Sequence, residues 1–448
     1  MKIFKNPFIR GTFYLTAAGF LSRIIGFFFR IFTAHAFGEE AMGIFQLTAP
    51  VIALSYSLCC SGYQTALSKY VAAFEASRNP HNSYKLLGTC IRITLLLSAI
   101  FSVIVYTCSD FIALVLLKET RCGALLRILS FSFPLSAIHS CINGYFYGKK
   151  RTAFPAFLQL FEQGIRVGSI LLLYQLYMQS HQEIPLAVLM VGNVIAEGFV
   201  VFVSLSYMFH TLQKQTNAIH RVFHTQKHSL LLFKMAIPLS ASRVIVNLLQ
   251  SVEAVYIPTQ LKIYGMTSKE ALSTYGVLTG MALSLILFPA AITNSASVML
   301  LPIISENDAN KNYTAIARAI KKTMFFCLQM GFASTIFFYC LGPFLGEFLF
   351  HSTLAGTYIR GLSFICPFVY LNTTFSSVLN GLARSFVTFS VSITSLLIRI
   401  AFVFFLVPHT GIGGYLIGLL ISQLSSFLLY LLSLKKYLFV LFSKNVLE

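Results

Sequence analysis

Long apolar runs separated by short polar segments make up nearly the whole chain. A helix needs about 20 consecutive, mostly apolar residues to cross the roughly 30 Å hydrocarbon core of a bilayer. The runs reach this length, so they predict an all-α membrane protein with about twelve transmembrane helices. These predicted spans, numbered 1 to 12, are 10–36, 43–68, 86–108, 123–147, 153–177, 185–209, 230–257, 272–301, 322–342, 357–381, 384–407 and 412–433.

Basic residues mark alternate polar segments. They precede span 1 and follow spans 2, 4, 6, 8, 10 and 12, whereas the other loops hold few of them. Lysine and arginine concentrate in the cytoplasmic loops of membrane proteins. The pattern therefore predicts a multi-pass protein of the plasma membrane with both termini cytoplasmic, and it favours an even number of spans.

Composition agrees with this class. Of 448 residues, 56% are hydrophobic and 10% are charged, which excludes an ordinary soluble domain. The net charge of +19 does not indicate nucleic-acid binding, because the basic residues lie between apolar runs and form no patch. The first run is too long for a signal-peptide core and Arg23 interrupts it, so it predicts a retained first helix.

The two halves of the chain resemble each other. Residues 126–134 (LRILSFSFP) correspond to 359–367 (IRGLSFICP), and 21–25 (LSRII) correspond to 241–245 (ASRVI). By the same correspondence Arg166 matches Arg399. Each pair falls at the same place in a six-span unit, and such repeats are typical of transporters.

The repeat predicts two six-helix lobes with a cavity between them. The N-terminal lobe is 1–209, the C-terminal lobe is 230–448, and the basic segment 210–229 is a cytoplasmic linker. A second polar segment, 307–322, has helical periodicity. It predicts either a helix on the inner membrane surface or an extension of span 9.

Five arginines lie in the predicted spans away from the ends that Arg92, Arg127 and Arg360 occupy. An arginine at the centre of a spanning helix costs about 2.5–3.5 kcal/mol on insertion scales, so it is expected to face a water-filled cavity or a partner. Arginine also binds phosphate through two parallel charge-assisted hydrogen bonds. We therefore predict a cavity for a pyrophosphate-bearing substrate, and its candidate ligands are Arg23, Arg30, Arg166, Arg243 and Arg399.

Three glutamates also lie inside the spans. Glu253, Glu162 and Glu197 are candidates for a coupling ion or proton. Glu162 precedes Arg166 by four residues, so the two can also neutralise each other on one helix face. Glu197 can equally serve as a packing or hydrogen-bonding residue. Glu253 lies on the same helix face as Arg243 but about 15 Å away, too far to pair with it.

Nothing in the sequence indicates an enzyme. There is no CxxC pair, no metal-ligand spacing of cysteine and histidine, no phosphate-binding loop and no nucleophile–base pair. We therefore expect no catalytic residues, no metal and no cofactor.

Three stretches resemble a known family: 10–47, beginning RGTFYLTAAGFLSRIIGFFFR; 142–167, INGYFYGKKRTAFPAFLQLFEQGIRV; and 237–306, beginning IPLSASRVIVNLLQSVEAVYIP. They resemble the stage V sporulation protein B family, in the polysaccharide-transporter branch of the multidrug/oligosaccharidyl-lipid/polysaccharide exporter superfamily. The resemblance implies a MATE-like fold and a flippase for lipid-linked precursors of the spore cortex. Related lipid II flippases have an arginine-lined cavity, which implies such a role for Arg23, Arg30 and Arg243.

The expected function is movement of an undecaprenyl-pyrophosphate-linked saccharide, such as a peptidoglycan precursor, from the inner to the outer leaflet. The expected partners are the lipid-linked oligosaccharide, membrane lipids and cell-wall polymerases, with no nucleic acid. Two alternatives stay open. One is a cation-coupled multidrug antiporter of the MATE type, which would depend on Glu253 more than on Arg23. The other is a membrane scaffold that recruits a polymerase and transports nothing.

Overall fold

The computed structural model describes residues 7–77, 80–181, 184–213 and 229–444, and the regular structure in these ranges is helical. Two compact units account for them. The first contains the chain up to Ile25 together with Leu47–Ser251, and the second contains Gly26–Gln46 together with the chain from Val252 onward. Two long helices, α1 (Pro7–Tyr56) and α9 (Ser229–Ile263), contribute residues to both units.

The helices of the first unit follow the apolar runs closely. After α1, a π-helical turn at Ser57–Ser61 leads into α2 without a break. The helices in order are α2 (Gly62–Ala76), α3 (Pro80–Thr107), α4 (Ser109–Phe111), α5 (Cys122–Ser130), α6 (Ser132–Gly148), α7 (Ala153–Gln179) and α8 (Ala187–Gln213).

The second unit is built in the same way. Its first helices are joined by another π-helical turn, Val277–Ala282. The helices in order are α10 (Ser268–Gly276), α11 (Leu283–Ile286), α12 (Ala290–Ala309), α13 (Tyr313–Phe350), α14 (Thr353–Leu362), α15 (Cys366–Gly381), α16 (Ser385–Phe405), α17 (Val407–Thr410) and α18 (Ile412–Lys444).

Within the described ranges, nine helices are long and apolar enough to cross a membrane, or ten if the bent pair α5 and α6 forms one span. The first of the nine, Phe13–Ala76, covers predicted spans 1 and 2, because α1 is broken at Gly38. Predicted span 8 corresponds to α10–α12, which a turn at Pro289 interrupts. The all-α membrane architecture is confirmed, and these elements are consistent with twelve spans.

Gly38 separates the first two spans. Its φ of 80° and ψ of 175° belong to a region that only glycine enters without strain. The next residue, Glu39, fixes the break from inside the second unit: its carboxylate accepts hydrogen bonds from Ser273 at 2.6 Å and from Ser352. The helix therefore kinks at a glycine, directly before a residue whose side chain is anchored.

Two expectations about polar segments have different outcomes. Residues 313–322 belong to α13, which runs without interruption from Tyr313 to Phe350. The segment is thus an extension of span 9. The predicted linker at 210–229 lies largely outside the described residues, and the predicted lobe boundaries stay a prediction.

Helix α10 begins with a capping box. Thr267 accepts a hydrogen bond from the backbone of Glu270, and the Glu270 carboxylate accepts one from the Thr267 backbone. These hydrogen bonds lower the pKa of Glu270, because they favour its charged form. The start of α10 is therefore defined by local polar contacts, as expected for a helix that begins outside the apolar layer.

A π-helical turn gives the first unit an unusual contact. The Asn247 side chain, on α9, donates hydrogen bonds to the Ala53 carbonyl at 3.2 Å and to the Ser57 hydroxyl. The wider turn at Ser57–Ser61 leaves the regular i→i−4 ladder. The Ala53 carbonyl, just before this turn, accepts from a side chain on another helix and from the Ser57 hydroxyl at 2.7 Å.

One close helix contact in the second unit joins α13 to α14. A Cβ atom at Gly346 would lie 2.1 Å from the backbone nitrogen of Gly356. We expect Gly346→Ala to destabilise the protein by about 1–3 kcal/mol, because backbone atoms cannot move aside as a side chain can. The thermal unfolding midpoint in detergent measures this.

Gly413→Ala, in the same unit, is the matched control, since a Cβ there meets nothing within 4 Å. Its midpoint should stay the same or rise slightly. Equal midpoints for the two variants would show that the α13–α14 contact is looser than described.

Candidate functional site

The predicted intramembrane charges lie on five helices. Arg23 and Arg30 are on α1, Glu162 and Arg166 on α7, Glu197 on α8, Arg243 and Glu253 on α9, and Arg399 on α16. Three of the arginines differ from the other two in what surrounds them, and the sequence indicated a partner only for Arg166.

Glu253 is fully engaged inside the second unit. Only 4% of its surface is exposed. Arg399 donates to the carboxylate through Nε, at 2.6 Å from Oε1, and through a terminal nitrogen to Oε2. The Tyr415 hydroxyl donates to Oε1 at 2.8 Å. The carboxylate that looked isolated in the sequence therefore has a bidentate partner, 146 residues away in the chain.

Glu162 and Arg166 form an ion pair along α7. This is the mutual neutralisation that their spacing predicted. Both side chains are largely buried, and the Nε atom of Arg166 has no hydrogen-bond partner in the described part of the chain. The pair therefore cancels most of its own charge, and it keeps one unused donor.

Glu197 lies beside a histidine that sequence reasoning missed. Ser136 donates to Glu197 Oε1 at 2.8 Å, and Nδ1 of His139 lies 3.8 Å from Glu197 Oε2. On the other side of the ring, Nε2 of His139 lies 2.6 Å from the amide nitrogen of Asn143. Ser136, His139 and Asn143 recur at spacings of three and four, which places them on one face of α6. That polar face was the available signal.

Arg23, Arg30 and Arg243 make no hydrogen bond or ion pair with the residues the structure describes. Arg23 and Arg243 are exposed and Arg30 is partly buried. Arg23 is near the middle of its helix, about 24 Å from Pro7 and about 22 Å from Gly38 at 1.5 Å per residue. Such a position is too deep for a simple reach to the membrane surface.

Arg23 and Arg243 belong to the same compact unit, and Arg30 belongs to the other. The sequence repeat predicts that Arg23 lies in the N-terminal lobe and Arg243 in the C-terminal lobe. The division between the compact units falls within α1 and within α9, and the arrangement by lobes stays a prediction.

Neutral polar groups lie near Arg243 in the first unit. The Tyr56 hydroxyl interacts electrostatically with Arg243 and donates a hydrogen bond to the Gln64 side-chain oxygen at 2.6 Å. Ser140 donates to the same oxygen at 3.3 Å. Because two donors fix the oxygen, the amide nitrogen of Gln64 is left as a donor for another group.

No group of three or more histidine, cysteine, aspartate or glutamate side chains within the described ranges could hold a metal ion. The charges that the fold brings together are ion pairs and one carboxylate–imidazole contact. Such an arrangement binds charged groups by hydrogen bonding. It is the chemistry of a binding site.

The fold and these charges together define a multi-pass α-helical membrane protein with basic side chains in its spans. Two solved structures have the same fold. One is described as "Lipid II flippase MurJ, inward closed conformation", with a TM-score of 0.72 and 18% identity over 94% of this chain and 87% of that one. The other is an inward-facing multidrug resistance MATE family transporter of the MOP superfamily, with a TM-score of 0.71 and 13% identity over 93% and 95%. The MATE-like fold is confirmed.

The family model described as "Polysaccharide biosynthesis protein" matches residues 8–308, and the chain belongs to that family. Stage V sporulation protein B of Bacillus subtilis (strain 168) is 27% identical over 442 residues, which cover 97% of this chain and 85% of that protein. The resemblance inferred from the sequence is thus confirmed at the level of the family.

The Glu253–Arg399 pair offers a direct test of the described geometry. We expect Glu253→Gln to destabilise the protein by about 3–5 kcal/mol, because it leaves the Arg399 charge in the interior without its partner. Thermal unfolding in detergent measures the effect, with Glu347→Gln, an exposed glutamate on α13, as control.

The double variant Glu253→Gln with Arg399→Leu should recover much of the loss, since no unpaired charge remains. Additive losses in the double variant would contradict the ion pair.

Proposed function

We propose that the protein is a flippase for a lipid-linked saccharide, an undecaprenyl-pyrophosphate-linked precursor of peptidoglycan or a related polysaccharide. It moves this lipid from the inner to the outer leaflet of the plasma membrane, with both termini cytoplasmic. One observation carries the proposal. Among the described residues, Arg23, Arg30 and Arg243 have no acidic partner, whereas Glu162, Glu197 and Glu253 each have a basic partner.

The charge balance favours an anionic substrate. Uncompensated guanidinium groups are costly in the hydrocarbon layer unless they face water or an anion. A pyrophosphate supplies the anion, and its oxygens match the planar donors of arginine. The polyprenyl tail of such a lipid can stay in the bilayer, so only the headgroup needs a polar path.

Each candidate residue then has a role. Arg23 and Arg243, in the first unit, hold the pyrophosphate, and Arg30 contributes positive charge farther along α1. The amide nitrogen of Gln64 and the Tyr56 hydroxyl supply neutral hydrogen bonds of the kind that saccharide hydroxyls accept and donate. Arg166 and Arg399 were also candidates. Their carboxylate partners indicate that they stabilise the spans and meet a substrate only by exchanging partners.

The names of similar proteins support this class of substrate. One solved structure of the same fold is a lipid II flippase, and one relative is a stage V sporulation protein. A role in building the spore cortex or the cell wall, beside cell-wall polymerases, follows as part of the proposal. We propose no catalytic step.

The test is lipid flipping in proteoliposomes with a labelled undecaprenyl-pyrophosphate-linked saccharide. Arg23→Ala should slow flipping about 30-fold, because a charge-assisted hydrogen-bonding group worth about 2 kcal/mol is lost. Arg23→Lys should retain more activity, since it keeps the charge and loses only the bidentate geometry. Arg243→Ala should behave like Arg23→Ala.

Arg384→Ala is the control, because Arg384 is exposed in the turn between α15 and α16. Flipping by Arg23→Ala at the wild-type rate would remove the observation on which the proposal depends.

A second candidate is a cation-coupled multidrug antiporter, which the similarity to a MATE family transporter favours. Such a protein needs an acidic site for its substrate or ion. The Glu253 carboxylate is occupied by Arg399 and Tyr415, which argues against it in that role. Uptake of an organic cation such as ethidium into vesicles, abolished by Glu253→Gln and unaffected by Arg23→Ala, would establish the antiporter and reject the flippase.

A further inference from the structure

The cluster around His139 in the first unit has one feature that the proposed function does not use: three of its buried polar atoms lack hydrogen-bond partners among the described residues. They are Glu197 Oε2, Asn143 Oδ1 and Arg166 Nε. Glu197 is 9% exposed and Asn143 is 8% exposed. Leaving a buried polar atom unsatisfied typically costs about 1–3 kcal/mol. A cluster of this kind gains free energy from any state in which these atoms are paired.

The contacts of His139 show one such state. The Asn143 amide nitrogen is a donor and faces Nε2 at 2.6 Å, so Nε2 accepts and the proton of the neutral ring sits on Nδ1. Nδ1 points to Glu197 Oε2 at 3.8 Å. This distance exceeds a hydrogen bond by about 1 Å, and a small side-chain rotation closes it.

A second proton on the ring changes the requirement at Nε2. That nitrogen then becomes a donor and needs an acceptor. Asn143 supplies one when its amide turns over, because its unused Oδ1 then faces Nε2. The protonated ring also draws in Glu197 Oε2 through Nδ1. Protonation of His139 therefore satisfies two of the three unused atoms without any new residue.

Charge balance favours the same state. When Glu162 and Glu197 are both ionised, they carry two negative charges against the single positive charge of Arg166, so with a neutral ring the cluster has a net charge of −1. The electrostatic interactions of Glu162 with Arg166, Glu197 and His139 show that these groups act together. Taking up one proton from water brings the net charge to zero, and a low-dielectric interior favours neutrality. Release of the proton to water restores the charge of −1.

Other titratable groups around α6 do not supply the positive charge that would balance the cluster. The Cys60 thiol, from the π-helical turn, interacts with Glu197 but is neutral as a thiol, and the Cys90 thiol of α3 faces Cys141. The charged groups nearby on α5, α6 and α2 are paired elsewhere: Arg127 with Asp110, and Lys149 with Glu75.

We infer that His139, held between Glu197 and Asn143, is a reversible proton-binding site that makes flipping by this protein depend on pH. The inference rests on the proposed function for its transport part only. The side chain of His139 keeps 14% of its surface exposed, so a proton can reach it from water. Histidine is the side chain suited to change charge between pH 5 and 8.

The first experiment measures proton binding without transport. Full-length protein labelled with ¹⁵N at histidine is titrated from pH 5 to 8 in nanodiscs, and His139→Gln identifies the ring signal. The signal should change reversibly between the neutral and charged forms. Asn143→Ala should shift the midpoint, because Asn143 bonds the ring in both forms and presents a different atom to each. A ring signal that is the same at pH 5 and pH 8 would overturn the inference.

The second experiment measures flipping at the same pH values. The wild-type rate should change about tenfold per pH unit on one side of the midpoint, as expected for one essential proton, and the rate of His139→Gln should be independent of pH. His409→Gln, an exposed histidine in α17, is the control and should keep the wild-type profile. An unchanged profile in His139→Gln rejects the coupling. Absence of flipping by the wild type at every pH rejects the proposed function instead, and the titration still decides on the proton site.

Discussion

A charged side chain in the hydrocarbon layer must have an opposite charge or water beside it, and the organisation of this protein follows from that requirement. The three intramembrane glutamates meet it through Arg166, Arg399 and the imidazole of His139. Arg23, Arg30 and Arg243 have no opposite charge of this kind among the described residues. The uncompensated charge of this set is therefore mainly positive, since only Glu197 depends on an imidazole that must gain a proton to balance it. The sign of this charge follows from the three arginines that have no carboxylate beside them.

Helix geometry decides how each charge is compensated. On α7 the partner is one turn away, so the pair forms within a single helix. Arg399 and Glu253 need two helices side by side, and Tyr415 on a third helix completes the coordination. Small residues make such approaches close, as Gly346 does against Gly356. Ion pairing between helices thus depends on packing, because an ion pair forms only where the helix backbones come near enough.

The sequence predicts most of the fold and part of the site. Apolar runs locate the spans because the bilayer fixes their length, and Arg23 stands out because of its cost. The Glu162–Arg166 pair is also visible, since four residues make one turn. Glu253 and Arg399 are 146 residues apart, so no local pattern joins them, and Glu253 looked isolated. His139 was missed for the same reason: its partner Glu197 lies on another helix.

The π-helical turn at Ser57–Ser61 has a consequence for the whole of α2. A regular helix advances about 100° per residue, and a π-helical turn takes in one residue more than the α-helical ladder does. Removing one residue from this turn would restore the ladder and rotate every later side chain of α2 by about 100°. Gln64 would then face a different neighbour. The turn therefore sets which face of α2 meets the polar groups of Tyr56 and Ser140.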